Sequence, residues 1–380
     1  MNRVLSTTAL IAIAGTAHAG VVERAAPNYD LLFEEGRRIE FGFASVRPDV
    51  TGSTTVPTQV GPIAFGTNGS VTENYTTLSL GYRADLNEQL SYAIILDQPY
   101  GADVVYPFVG DVFTDYPLAG STASLDSTAL TGLLRYEFGN GFSVHGGLKI
   151  QSLGAEVFLP AVSNYSADGK EDWSIGGVIG VAYERPDIAL RVALTYASEI
   201  DHDVPTVEAF GTTAFPTTIT EVTTPQSVTL DFQSGVAADT LVFGSIRWVD
   251  WTEFDITPQQ YQGATGGSLV AYDDDTTTYE LGIGRRFTEN FSGAITLGYE
   301  GSNGGFSSNL GPTDGNRSIG IGGTYDTGNG IEISAGVRYI EIGDAETVLA
   351  RDPGTGAPTL TSDFSDNSAV AFGMSVAYTF

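Results

Sequence analysis

From Val370 to Phe380 the chain alternates without a break between large apolar and small or polar side chains. Val370, Phe372, Met374, Val376, Tyr378 and Phe380 fall on one side, and Ala371, Gly373, Ser375, Ala377 and Thr379 on the other. A period of two is that of a β-strand with one apolar face. The same period recurs in RRIEFGFASV, TTLSLGYRAD, LSYAIILDQP, TALTGLLRYEF, SVHGGLKIQS, SIGGVIGVAYE and ALRVALTYASE. It continues in SVTLDFQSG, LVFGSIRWVDW, TTYELGIGRRF, FSGAITLGYE, RSIGIGGTY and IEISAGVRYIE, making fourteen segments with the last. Each has about the length of a tilted membrane-spanning strand. Helical spacing is confined to a short piece around YDLLFEEGRR.

The connections alternate as regularly as the side chains. LNE, GNG, RPDI, VAAD, TEN and DTGNG are tight links with hairpin chemistry. The others are long, among them Pro57 to Glu73, Tyr100 to Ser124, Ile200 to Glu221 and Asp344 to Asn367. Both ends of the strand array therefore lie on the short-turn side. An all-β, antiparallel transmembrane barrel of about fourteen strands has this layout, with brief periplasmic turns and longer outside loops. Closure also removes the sheet edges that hydrocarbon does not tolerate.

Parity assigns the faces. Leu78, Leu80 and Tyr82 share one side of their strand, and Ile331, Ile333, Val337 and Tyr339 one side of theirs, opposite small or polar residues. The apolar face is the one expected to meet lipid. Tyr82, Tyr136, Phe138, Phe142, Tyr183, Phe287, Phe291, Tyr325 and Phe380 stand beside the short turns, as an interfacial girdle does. The opposite parity carries Arg83, Arg135, Lys149, Arg191, Arg247, Arg286 and Arg338, with Glu137, Asp231, Glu280 and Glu332 among them. Such charges could form a constriction or a dock for an anionic head group. The reading favoured is that they pair with neighbouring carboxylates and fill the bore, since partnered buried charges usually serve structure.

Four further features follow from local sequence. A positive residue, the apolar LSTTALIAIAG and Ala17-His18-Ala19 read as a secretory signal peptide over residues 1–19. Residues 20–36, GVVERAAPNYDLLFEEG, precede the barrel of 37–380 and combine Tyr29, Leu31, Leu32 and Phe33 with polar groups. A short plug there would occupy space that fourteen strands leave open. Pro99 and Gly101 interrupt the third strand, where proline removes a ladder donor and glycine marks a bulge or bend. The following connection is apolar for an outside loop, with Val104, Val105, Tyr106, Phe108, Val109 and Phe113. It suits either first capture of a hydrophobic ligand or packing of loop on loop.

Composition narrows the chemistry. A formal charge of −29 disfavours nucleic acid as a partner. There is no cysteine, and no HExxH, GxSxG or phosphate-loop spacing. The acids Asp273 to Asp275 lack the calcium-loop pattern and read as a solvated loop. Neither catalysis nor a metal or cofactor is expected.

SVHGGLKIQ, PDIALRVALTYASEIDHD, YELGIGRRFTENFSG and above all the run from Thr224 to Trp251 resemble the FadL-type outer-membrane transporters of long-chain fatty acids and other hydrophobic compounds, alphaproteobacterial members especially. The resemblance spans nearly the whole chain after the signal segment. It implies a hatch at Asn28, Tyr29, Leu31, Leu32 and Phe33. It also implies a lateral gate at Pro99, Tyr100 and Gly101, where the third strand kinks and releases ligand into the bilayer. The segment before the barrel is shorter than the family's usual hatch, and APN stands where an NPA-like element is often found. The partners implied are a long-chain fatty acid or other hydrophobic small molecule, with outer-membrane lipid and lipopolysaccharide around a monomer. An anion-tolerant porin, suggested by the inward arginines, and an adhesive surface barrel, suggested by the acidic loops, are the alternatives.

Overall fold

The computed structural model describes residues 22–59, 61–110, 115–352 and 354–380; the expected signal peptide and Phe113 lie outside them. Fourteen antiparallel wall strands follow one another around a closed barrel. They are β1 (Arg38–Asp49), β2 (Tyr75–Asp85), β3 (Leu90–Asp97, resumed as Gly101–Val105), β4 (Thr122–Glu137), β5 (Phe142–Leu159) and β6 (Tyr165–Arg185). Next come β7 (Leu190–Ala197, resumed as Ile200–Phe210), β8 (Thr218–Thr224, resumed as Ser227–Ala237), β9 (Thr240–Val249) and β10 (Thr276–Arg286). The last four are β11 (Phe291–Glu300), β12 (Asn316–Asp326), β13 (Ile331–Ile342) and β14 (Asn367–Thr379). β14 pairs with β1 from Ser368↔Asp49 to Thr379↔Arg38, so the sheet has no free end strand.

The faces follow the alternation. On β14, Val370, Phe372 and Tyr378 are exposed, whereas Ala369, Ala371 and Ala377 are buried. Aromatics beside the short turns pack in pairs: Phe142 on Tyr183 (4.6 Å), Phe287 on Phe291 (6.0 Å) and Tyr378 on Phe380 (5.4 Å). Phe380 is held by its own amide, which donates to the Arg37 carbonyl at 2.9 Å.

One expectation needs correction. The stretch from Ile200 to Glu221 is not a long loop: β7 and β8 run through most of it, and Thr213–Ala214 folds back to pair with Ala209–Phe210 at the tip of β7. Two-residue breaks at Ser198-Glu199 and at Pro225-Gln226 reverse which parity points inward. Below the break, Val192 and Leu194 of β7 face out and Arg191 and Ala193 face in. Above it, Asp201 and Asp203 face out and His202 and Val204 are buried. The alternation persists with its sense inverted, so it no longer looks like a lipid-facing strand.

The remaining long connections fold over the same end. Gly52–Thr58, Gly61–Gly66, Phe306–Ser307, Ala345–Arg351 and Pro358–Phe364 make a five-stranded sheet. Beneath it, Tyr106 stacks on Tyr116 at 5.5 Å and donates its hydroxyl to the Asn309 carbonyl at 2.6 Å.

Candidate functional site

The bore is built from small inward residues, and the N-terminal segment lies against them. Tyr29–Phe33 form a short 3-10 helix with all five residues buried; Asn28 precedes it without capping it through its side chain. The helix packs on Ala93 and Ile95 of β3, Leu133 of β4, Val178 and Ala182 of β6 and Ala193 of β7. Gly81 of β2 lets it approach, because a Cβ there would lie 2.4 Å from Leu31 Cδ2. Phe33 sits between two guanidinium groups, Arg135 at 4.6 Å and Arg191 at 4.9 Å from its ring centre.

The inward arginines have carboxylate partners. Arg191 bonds Asp30 at 2.7 Å and Arg247 bonds Glu23 at 2.7 Å, so the N-terminal segment supplies both acids. Arg83 pairs with Asp85 (2.6 Å), Arg135 with Glu137 (3.0 Å) and Glu184, and Arg338 with Glu280 (2.9 Å). Arg38, which the sequence reading passed over, meets Glu332 at 2.7 Å. Lys149 lies over the face of Tyr100 at 5.4 Å. Arg286 is the exception among the expected luminal charges. It belongs at the rim, bonded to Asp239 of the β8–β9 turn and one-third exposed, because its strand ends there.

The third strand breaks where proline and glycine stand. Pairing of β3 with β2 runs from Ser91↔Asp85 to Leu96↔Leu80 and stops. It returns only as an isolated Thr72↔Val104 bridge, beside a bond from Glu73 N to the Asp103 carbonyl. No ladder pair joins 75–79 to 97–101 among the described residues; Leu78 N donates instead to Gln98 Oε1 at 3.0 Å. On the β4 side, Asp97↔Ala129 is followed by Gly101↔Asp126, so three residues oppose two. The extra residue is the bulge that the proline predicts. The freed backbone turns to the N-terminal segment: Arg24 N donates to the Pro99 carbonyl (2.8 Å) and Gly101 N to the Val22 carbonyl (2.7 Å).

Two cavities meet at this place. One is almost wholly apolar and is lined by Leu125, Leu153, Ala167, Val204, Val222 and Val270 among others. The second lies beside the interrupted β2–β3 ladder, against Tyr75, Gly101, Asp103 and Val104. Val22, Ala102 and Leu310 border both. Trp251 packs beside them, edge-on to Tyr100 at 6.0 Å. Nothing in the sequence marked Trp251 or Val204 as luminal, since one lies in a loop and the other beyond the parity reversal.

The expected capture residues divide. Val104 and Val105 belong to β3 rather than to the loop, and Val104 and Tyr106 are buried. Phe108 and Val109 are 70% and 66% exposed and remain available to solvent.

The whole architecture has solved counterparts. It is similar to a Pseudomonas aeruginosa FadL homologue, with a TM-score of 0.73, 14% identity and 92% of each chain covered. It is also similar to the Pseudomonas putida toluene transporter TodX, with a TM-score of 0.61, 14% identity and again 92% of each chain. A third, the CymD monoaromatic hydrocarbon channel, gives a TM-score of 0.53 at 14% identity over 100% of this chain and 94% of that one. At these identities the likeness concerns the fold. None of the curated proteins matches the chain. The family described as outer membrane protein transport protein (OMPP1/FadL/TodX) matches residues 12–380. The chain belongs to that family, and its barrel stands in the Gram-negative outer membrane.

Proposed function

We propose that the protein is a passive channel for hydrophobic compounds, long-chain fatty acids among them, with release sideways through the β2–β3 interruption. One observation carries the reading: an apolar chamber shares a wall with a cavity that reaches the broken ladder. Water offers such molecules no favourable path, whereas burial in the chamber gains about 25 cal/mol per Å² of apolar surface. The solved toluene transporter TodX and monoaromatic hydrocarbon channel CymD, which share the fold, support a hydrophobic class of cargo. In this reading Phe108 and Val109 make first contact outside. The segment around Tyr29–Phe33 is the hatch that keeps water and ions from crossing. The paired arginines are structural, and a single chain surrounded by lipid and lipopolysaccharide is the working unit.

The experiment is uptake of radiolabelled oleate, and separately of toluene, by cells lacking the native gene. The intact chain should restore uptake of at least one. Deleting Pro99, which matches β3 to β4 residue for residue, should abolish it while the barrel still assembles. Steady large ion currents through the purified protein in planar bilayers would overturn the reading in favour of an open pore.

A further inference from the structure

The wall has a second interruption, on the far side of the apolar chamber. β6 pairs with β7 from Arg185↔Leu190 to Val178↔Ala197, and again from Gly169↔Thr206 to Tyr165↔Phe210. Between these ladders, among the described residues, 170–176 of β6 and 199–205 of β7 share no ladder pair. The cause is a mismatch of height. β7 and β8 reverse parity together, at Ser198-Glu199 and Pro225-Gln226, and stay paired with each other above the break. β6 reverses higher, at a bulge where Leu153↔Asp172 gives way to Ala155↔Gly169. In the window between the two reversals the strands are half a repeat out of phase, and facing amides and carbonyls do not meet.

Side chains close the seam instead. Ser198 Oγ accepts from Gly177 N at 2.9 Å, and Asp172 Oδ2 accepts from Asp203 N at 3.3 Å while lying 3.3 Å from the buried His202 ring. Ile200 and Val204 lean on Gly176 and Gly169, whose added Cβ atoms would lie 2.6 and 2.9 Å from them. Unpaired strand edges are excluded from hydrocarbon unless they line a cavity. This seam borders one: Val204 within it, and Gly169 and Thr206 at the first ladder pair above it, line the apolar chamber. Outside, Trp173 and Ile175 are exposed on β6, facing the exposed acids Asp201 and Asp203 on β7. Outward carboxylates are tolerable near the membrane interface and costly at its centre, and tryptophan favours the same level. The seam therefore opens among lipid head groups.

We propose that the β6–β7 seam is a second lateral opening, through which hydrophobic molecules held in the outer leaflet enter the apolar chamber. This rests on the channel reading above, and it adds a route that bypasses the outside loops. Opening requires movement of side chains at Ile200, His202 and Val204 and release of the Asp172 bonds, with no backbone ladder to break.

The absence of cysteine makes the test direct. Gly176→Cys with Ile200→Cys staples the lower seam, and Gly169→Cys with Val204→Cys the upper, each in a Trp173→Phe, Trp248→Phe background that leaves Trp251 as sole reporter. Pyrene is loaded into the outer leaflet of proteoliposomes, and quenching of Trp251 is followed in time. Oxidation of either staple should slow quenching at least fivefold relative to the same protein reduced. Asp172→Ala in the unstapled background should speed it severalfold. Equal rates in oxidised and reduced protein, with the disulfide confirmed by mass, would overturn the second opening and leave the channel reading intact. No quenching of Trp251 in the reduced proteins would remove both.

Discussion

Tyr100 and Ser127 exchange two hydrogen bonds: the Tyr100 amide donates to Ser127 Oγ at 2.8 Å, and that hydroxyl donates to the Tyr100 carbonyl at 2.8 Å. A side chain on β4 thus takes over both backbone groups of the residue that the bulge leaves without a ladder partner on that strand. Ser127→Ala should orphan a buried donor and acceptor and cost about 1–3 kcal/mol. Urea titration of the protein in lipid vesicles measures it. Ser127→Thr, which keeps the hydroxyl, should recover most of the loss, and an unchanged midpoint for the alanine variant would show that the kink is held elsewhere.

Arg191 and Asp30 tie the N-terminal segment to β7 through a buried pair. Removing one member strands the other. Asp30→Leu alone should destabilise by about 3–5 kcal/mol, whereas Asp30→Leu with Arg191→Met should approach the parent, because a well-packed apolar pair often replaces a buried ion pair without loss. Equal losses in the single and double variants would exclude this coupling.

Deleting residues 22–36 removes both the buried 3-10 helix and the acids that meet Arg191 and Arg247. The barrel itself closes through β1 and β14 without them. Single-channel recordings should then show steady conductance where the parent is quiet. A deletion variant that folds and stays closed would mean that the outside loops, rather than this segment, block the bore.

The parity reversal in β7 makes a reading by nitroxide scan possible. A label at Leu80, Val192 or Leu194 should be relaxed by oxygen, as a lipid-facing site is, and a label at Asp201 or Asp203 by a water-soluble nickel complex. A label at Val204 should be shielded from both. If Val204 behaved like Leu194, β7 would run straight and the seam beside it would not exist.

Much of this was written along the chain. Alternation in fourteen segments, tight polar turns between alternate pairs and aromatics at those turns specify a barrel, its hand of inside and outside, and the side on which both ends of the array lie. These are local properties, fixed by the two-residue repeat and by turn chemistry. Pro99 and Gly101 announced the bulge in β3 for the same reason, since a missing donor is a property of the residue itself.

What lay beyond the sequence is whatever depends on register between strands. That β7 and β8 reverse at one height and β6 at another cannot be seen in any one strand, because each still alternates correctly by itself. Ile200 to Glu221 therefore read as a loop, and Val204 and Val222 were missed as lining of the chamber. The acids at Glu23 and Asp30 were likewise uninterpretable until the bore placed Arg247 and Arg191 against them. A period of two tells each strand which face is greasy; only pairing with its neighbours decides where that face points.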